Sequence, residues 1–555
     1  MSRPSAFANI AAYLPDMAAR QPDTTALYCP TGAFSATQIY EQYSYAQLED
    51  LSNRTATALA AAGLQRGDRT VLMVTPGRDF FALTFALFKL GAVPVLVDPG
   101  MGIRHLKTCL AEAQARAFIG MPRAHLARRL FGWAPTATLC ITTGRRHWIN
   151  EVSYARLLGN VAPGQRFAPV LPAAEETAAI LFTSGSTGIP KGVVYTHGHF
   201  LAQVAALEQI YGITPGEIDL PTFPLFALFA PALGMTSVLP QMDFTRPGAV
   251  DPVKIIAAIN RFQVTTMFGS PALLRRVARY GIPAGTTLPS LKRVISAGAP
   301  VAATTLEDVR RLLPADALIH TPYGATEALP VCTIEATTIL TETRQRTDQG
   351  AGICVGYPVP GTDVKIVRIS DREMEILTDQ VVLGEGDIGE ITVRGPQVTQ
   401  SYYGRPEATG LAKITDPHSG TVYHRMGDLG YRDGQGRIWF CGRKAHRVEC
   451  ATGTLFTIPC EAVFNTHPQV FRTALVGVKV KGSQVPLLCV ELEEGTGRSE
   501  HARIIDELRA LATTTAVTRS IERFLIHPAF PVDIRHNAKI FREKLALWAQ
   551  RRVRE

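Results

Sequence analysis

The residues of this chain best suited to chemistry lie in one run, TAAILFTSGSTGIPKGVVYTHGHF, from Thr177 to Phe200. At its centre Thr183, Ser184, Gly185, Ser186, Thr187 and Gly188 are followed by Pro190, Lys191 and Gly192. Glycines let successive backbone N–H groups close around an anion as a concave, positive nest. The hydroxyls add donors, and Lys191 adds a compact charge suited to phosphate. The chemistry asked for is a polyphosphate cradle. It is not the common phosphate loop, which needs Gly directly before the Lys and Ser or Thr directly after it. Here Pro190 precedes Lys191 and Gly192 follows it. A flexible Ser/Gly linker would not sit between two apolar runs, as this one does between 178–182 and 193–195.

Such a loop has to be held by a sheet. Residues 44–63 have helical spacing, with Ser44 and Gln47 placed as a capping box and Gly63 as the stop. A strand at 70–74, a helix at 79–90, a strand at 93–97, a helix at 103–114 and a strand at 117–120 follow, which is a βαβ alternation with a parallel sheet. Further units are expected at 252–268 and 271–296. Ligands in such sheets gather beyond the strand C-termini, where the Thr183 loop falls. From Gly352 short strands and turns take over, and after Gly442-Arg443 a new unit begins. The fold class read from this pattern is α/β. Residues 1–442 form the large N-terminal region and 443–555 a small α+β cap.

Length and composition fit that scale. A chain of 555 residues holds more than one domain, and 19% charged with 46% hydrophobic residues describes an ordinary globular protein. The net charge of +9 forms no aromatic-interleaved basic stripe, so a small polyanion, or an anionic partner surface, explains it better than nucleic acid. The nine cysteines include no CxxC pair and no His/Cys cluster with metal-ligand spacing. Free thiols, together with an N-terminus that lacks a signal pattern, make the cytoplasm the expected compartment.

The Thr183 loop resembles the signature loop of the adenylate-forming superfamily, and four more motifs recur in that superfamily's order. SAGAP ends in Gly298, Ala299 and Pro300. TPYGATE carries Tyr323, Gly324, Thr326 and Glu327. YHRMGDLGYRDGQGRIWFCGR carries Asp428 and Arg443, and NAKIFREKL carries Lys539. The resemblance implies the adenylate-forming fold: a multi-lobed N-terminal domain with a small β-barrel-like part, plus the mobile cap. It implies ATP as cosubstrate, with the 298–300 turn along the adenine, Tyr323 stacked on the base, Thr326 facing the α-phosphate and Glu327 contacting Mg²⁺. Asp428 then takes the ribose hydroxyls, Arg443 lies near ribose and phosphate, and Lys539 is the catalytic lysine. The chemistry suits these residue types. Attack of a carboxylate on the α-phosphorus brings anions together, and preorganised donors and Mg²⁺ neutralise the charge that builds.

Three positions depart from the superfamily pattern. Asn537-Ala538 stands where Ser-Gly usually precedes the lysine, Ala445 stands where a hinge Asp or Lys is usual, and Ala227 stands where many relatives place a residue near the substrate carboxylate. A hinge need not be polar, but Ala445 weakens the expectation of a second, thioester-forming half-reaction.

A narrower resemblance, to the β-lactone synthetases of bacterial long-chain olefin biosynthesis, is carried by FFALTFALFKLGAVPVLVDPGMGIRHLKTCLAEAQ, FPLFALFAPALGMTSVLPQMDFTRPG and CGRKAHRVECATGTLFTIPCEAVFNTHP. It implies that a long-chain 2-alkyl-3-hydroxyalkanoic acid is adenylated and that its own hydroxyl closes on the activated carbonyl, releasing AMP. It also implies partners, a reductase that supplies the acid and a decarboxylase that consumes the lactone. His197, His199 and His320 lie near motif segments, as structural histidines or as a base for the hydroxyl. Phe223, Leu225, Phe226, Leu228 and Phe229, with Leu233 and Met235, are expected to pack a core, line an alkyl site or rest on a membrane surface. Two other readings share the motifs, an acyl-CoA ligase and a nucleotide-binding module with an impaired lysine motif.

Overall fold

The computed structural model describes residues 7–32, 38–144, 150–183, 190–533 and 540–553. The sequence-expected βαβ units assemble into two seven-stranded sheets. In the first, Val152–Ser153, Leu139–Thr142, Ala117–Gly120, Arg69–Met73, Val93–Val97 and Thr177–Thr183 run parallel. Lys191–Thr196 closes the edge antiparallel to Thr177–Thr183, with Thr183 opposite Lys191. The second sheet runs Leu318–His320, Arg293–Ile295, Thr266–Phe268, Ile218–Pro221, Thr236–Val238, Thr25–Thr31 and Ile39–Ser44, again with one antiparallel edge pair.

Two features differ from the sequence reading. The Thr25–Ser44 hairpin adds the edge of the second sheet, although no hairpin signal marks it. Helix His197–Tyr211 leads straight out of the phosphate-loop hairpin, capped by Thr196 and His199. Helix Tyr45–Ala61 has the expected Ser44/Gln47 capping box; such a cap is worth about 1 kcal/mol. Helix Arg78–Leu90 is buried from Phe80 to Leu90, including Lys89, which is satisfied by Glu49, Ser52 and Asn53. A buried charge survives only when paired and hydrogen-bonded in this way.

A third, largely antiparallel sheet runs from Tyr323–Ala325 through Ala328–Thr333, Ile353–Pro358, Ile438–Arg443, Val422–Arg432 and Gly389–Arg394 to Asp363–Val367. Its turn at Asp433 is held by the carboxylate, which accepts from the Arg437 backbone and guanidinium and from Trp439 Nε1. Beyond it, Val470–Val480, Ser483–Leu492 and Arg523–Ile526 form a three-stranded sheet covered by helices Thr457–Phe464, His501–Ala512 and Arg542–Gln550. This C-terminal part is tied to helix Pro271–Gly281 through Arg275 and Arg279, both on Glu493. No described helix is long and apolar enough to cross a membrane.

Candidate active site

The hairpin of Thr177–Thr183 and Lys191–Thr196 is clamped from outside by the segment 398–403. Val194 N donates to Ser401 O at 3.1 Å, and Tyr403 N donates to Gly192 O at 2.7 Å. That clamp brings Tyr402 over Lys191, whose Nζ lies 4.8 Å from the ring centroid. It also sets the Tyr402 hydroxyl on Glu327 Oε1 at 2.7 Å. Burial lowers the Lys191 ammonium from its ordinary pKa, Glu327 opposes this, and Arg405 adds to it.

Thr326 and Glu327 sit in the tight link between Tyr323–Ala325 and Ala328–Thr333. Glycine is required at 324, since a Cβ there would stand 2.5 Å from Ala328 O. The Thr326 carbonyl accepts from Tyr195, and Thr399 N donates to Glu327 O at 2.9 Å, so the whole link is pinned. Glu327 lies between two strands and caps no helix.

Asp428 is buried inside strand Val422–Arg432. Its Oδ2 accepts from the Tyr323 hydroxyl at 2.7 Å, and its Oδ1 lies 3.1 Å from Arg443 Nη1. That guanidinium is out of line for a hydrogen bond, so Oδ1 is a buried acceptor with no described donor. Burial raises the Asp428 carboxyl above the usual range against the pull of Arg443, while Asp428 holds the Arg443 guanidinium above its own. The ion pair with Arg443 compensates the Asp428 charge but leaves its hydrogen-bonding capacity open to a ligand donor. A sugar hydroxyl is such a donor.

These residues border a cavity of about 1530 Å³. Lys191, Gly298, Gly324, Thr326, Glu327 and Arg443 line it, together with Arg405, His424, Lys444 and Ala445. Tyr323, Asp428, Ala299 and Pro300 do not line it, although their chain neighbours Pro322, Gly324, Gly427 and Gly298 do. Thr183 ends its strand beside Lys191. Ser184, Gly185, Ser186, Thr187, Gly188 and Lys539 lie outside the described residues.

The opposite wall is apolar. Phe223, Leu225, Phe226, Leu228 and Phe229 line it, on the short helices Pro224–Ala227 and Phe229–Ala232 and at their caps. All five are half-buried. Leu233 and Met235 line instead a separate chamber of about 70 Å³, which shares Phe226, Phe229 and Phe268 with the main cavity. Ala227 is turned into the core and lines neither space, contrary to its expected place near the substrate carboxylate.

His197, His199 and His320 do not line the cavity. Burial pushes His197 and His199 down to about 4, and they serve the backbone, accepting from Ile10 N and Thr196 N. The histidine that does line it, His424, lies 3.1 Å from Lys413 Nζ. Tyr402, Lys413 and His424 escaped the sequence reading because only tertiary contacts set Tyr402 on Lys191 and Glu327 and Lys413 beside His424. Among the described residues no three His, Cys, Asp or Glu side chains gather as a metal centre. A single carboxylate such as Glu327 suits Mg²⁺ that arrives with substrate phosphates, because that ion keeps most of its waters and needs few protein ligands.

The geometry joins a cationic, hydroxyl-accepting wall to an apolar recess. Comparison with known proteins agrees with it. The chain is 52% identical to olefin beta-lactone synthetase of Xanthomonas campestris pv. campestris over 99% of both chains. It is also 52% identical to the olefin beta-lactone synthetase of Stenotrophomonas maltophilia, with the same coverage. In fold it is similar to amide bond synthetase McbA from Marinactinospora thermotolerans, with TM-score 0.79, 22% identity and coverage of 97% of this chain and 99% of that one. The AMP-binding enzyme family matches residues 14–403. The chain therefore belongs to the AMP-binding enzyme family.

Proposed function

We propose that this enzyme uses ATP to adenylate a long-chain 2-alkyl-3-hydroxy acid and lets the substrate's own hydroxyl close the activated carbonyl to a β-lactone. The observation that carries the reading is the single cavity of about 1530 Å³ uniting the Lys191–Glu327–Arg443 wall with the phenylalanine recess. Small-ligand sites usually span about 300–1,000 Å³, so this one has room for a nucleotide and a bulky acyl group together. The 52% identity to two olefin beta-lactone synthetases over nearly the full length supports the same reading.

In this reading the acid lies with its alkyl chains against Phe223, Phe226 and Phe229, and its carboxylate toward Thr326. Lys191 and Arg443 offset the charge that develops as a carboxylate oxygen bonds to the α-phosphorus and pyrophosphate departs. Asp428, next to the cavity-lining Gly427 and paired with the cavity-lining Arg443, is the proposed acceptor for a ribose hydroxyl through Oδ1, while Tyr323 keeps Oδ2. Glu327, steadied by Tyr402, would hold Mg²⁺, which supplies Lewis-acid neutralisation of the phosphate oxygens. The loop 184–188 is proposed to wrap the phosphates. Residues 443–555 are proposed as a mobile cap that delivers Lys539. In the second step the 3-hydroxyl oxygen bonds to the acyl carbon as the bond from that carbon to the AMP phosphate oxygen breaks, and the hydroxyl proton passes to the departing phosphate or to solvent. The nucleophile is already tethered, and effective molarities near 10⁵ M or more are typical of well-oriented intramolecular attack. No thiol needs admission, which fits Ala445 at the hinge position. A reductase upstream and a lactone decarboxylase downstream are the proposed partners.

The experiment is a product assay with ATP, Mg²⁺ and a 2-alkyl-3-hydroxy acid, with and without coenzyme A. A product short of the acid by one water, formed without coenzyme A and showing a four-membered ring by NMR, supports the reading. Thioester formed only with coenzyme A would make this a ligase of the kind named in a 28% identical relative from Oryza sativa subsp. japonica, "Putative 4-coumarate--CoA ligase-like 8". ATP binding without turnover of any acid would leave only a nucleotide-binding module.

A further inference from the structure

Helices Ile103–Glu112 and Pro122–Phe131 follow strands Val93–Val97 and Ala117–Gly120 and cross the first sheet in the same direction. Right-handed crossovers therefore place both on one face, and they share an apolar core through Leu106, Leu110, Ala124 and Trp133. Their outer surface is unusual in two independent ways. Leu126 and Leu130, one turn apart on helix Pro122–Phe131, are 41% and 69% exposed, and Phe131 beside them is 36% exposed. An i,i+4 pair forms a continuous stripe rather than scattered apolar atoms. Around it the charge is one-sided. Residues 99–144 contain six Lys or Arg and a single acid, Glu112, and of the six basic residues Arg116 is paired with Asp68 and Arg129 with Glu151. Glu112 is itself taken up by Arg405, and the neighbouring Glu151 faces Arg129 and His125. Arg104, Lys107 and Arg123 project from the same two helices, all exposed.

The stripe is continuous with the active site. Arg123, Ala124 and Ala127 line the large cavity, and on the helix Ala127 and Leu130 lie on one row, as do Arg123 and Leu126.

We infer that this face docks the enzyme on an anionic lipid bilayer, with Leu126, Leu130 and Phe131 entering the headgroup–acyl boundary while Arg104, Lys107 and Arg123 meet lipid phosphates. A surface that is apolar along one stripe and cationic around it matches the interface of an anionic membrane. A nucleic-acid backbone would leave the stripe of Leu and Phe unpartnered. Resting on the substrate class proposed above, the docked face would also place the cavity edge against the phase in which a two-chain acid dissolves.

Co-sedimentation of the full chain with phosphatidylcholine vesicles, with and without phosphatidylglycerol, tests the inference. Binding is expected only to the phosphatidylglycerol vesicles and is expected to fall as salt rises, because surface charge is screened within a Debye length. Leu126→Glu/Leu130→Glu and, separately, Arg104→Glu/Lys107→Glu should each weaken vesicle affinity by about tenfold or more. None of these four side chains lines the cavity, so turnover of acid in detergent micelles should stay unchanged. An enzyme that remains in the supernatant, binds pure phosphatidylcholine equally, or binds undiminished with both pairs changed overturns the inference. A folded, vesicle-binding chain that makes no lactone would sink the proposed reaction and leave the docking face standing.

Discussion

The Tyr402 hydroxyl donates to Glu327 Oε1 at 2.7 Å, although the two residues lie 75 positions apart. The same ring covers Lys191 Nζ, so one tyrosine orients both a proposed metal contact and a proposed phosphate contact. A hydrogen bond to a charged group is worth about 1.5–3 kcal/mol.

Tyr402→Phe keeps the ring over Lys191 and removes only the donor to Glu327. Adenylation should fall by about tenfold or more, with the Mg²⁺ requirement shifted upward. Pyrophosphate exchange titrated with Mg²⁺ measures this. An unchanged Mg²⁺ midpoint would deny Tyr402 any hold on the metal contact.

Asp428→Asn preserves volume but removes the charge facing Arg443 and one acceptor for a sugar hydroxyl. ATP affinity should weaken by about tenfold, read by calorimetry without any acid substrate. Equal ATP affinity in wild type and variant would detach Asp428 from nucleotide binding.

Lys539→Ala should lower adenylation by roughly a hundredfold or more while ATP affinity persists, because a group that acts on developing charge contributes to the transition state rather than to ground-state binding. Single-turnover measurement of acyl-adenylate separates the two. Near-normal turnover would remove Lys539 from the chemistry.

Phe226 separates the main cavity from the chamber of about 70 Å³, its ring 4.3 Å from that of Phe268. Phe226→Ala should join the two spaces and move the kcat/KM optimum toward longer or bulkier alkyl chains. The cost in stability should approach the lower end of the roughly 3–5 kcal/mol for emptying a phenylalanine site, since Phe226 is only half-buried. A chain-length profile that does not move would assign the small chamber to packing alone.

His197 is buried and neutral, and burial pushes it down to about 4 from an ordinary 6.5. A depressed histidine contributes stability that is complete above the unfolded pKa. That stability is lost as pH falls from 6.5 toward 4, because the unfolded chain takes up the proton first. The slope is about 1.4 kcal/mol per pH unit for one group. His197→Asn retains an acceptor for Ile10 N and should flatten the acid limb by that amount in urea melts at pH 7 and 5. An identical slope would mean that His197 titrates normally in the fold.

Local pattern carried much of this protein. Helix Tyr45–Ala61, the strand–helix alternation through Gly120 and the hairpin flanking the phosphate loop follow from period, caps and turn residues within a few positions, and the structure places them there. The motif residues that proved to be neighbours, Tyr323 with Asp428 and Asp428 with Arg443, were legible because each sits in a distinctive short string.

Tertiary structure decided what local pattern could not carry. Tyr402 reaches Glu327 and Lys191 only because the segment 398–403 bridges the first sheet at Val193 and the third at Ala328, and such hydrogen bonds are made by backbone groups that leave no mark on side-chain spacing. The phenylalanine run faces a cavity rather than solvent or a filled core, because each face of its short helices is set by the sheet packed against it. Charge behaved likewise. Along the chain the basic residues look scattered, but folding lays the two helices that carry Arg104, Lys107, Arg123 and the Leu126–Leu130 stripe on one face of the first sheet. Sequence spacing specifies which way a side chain points within its own element, and only the packing of elements determines what it meets there.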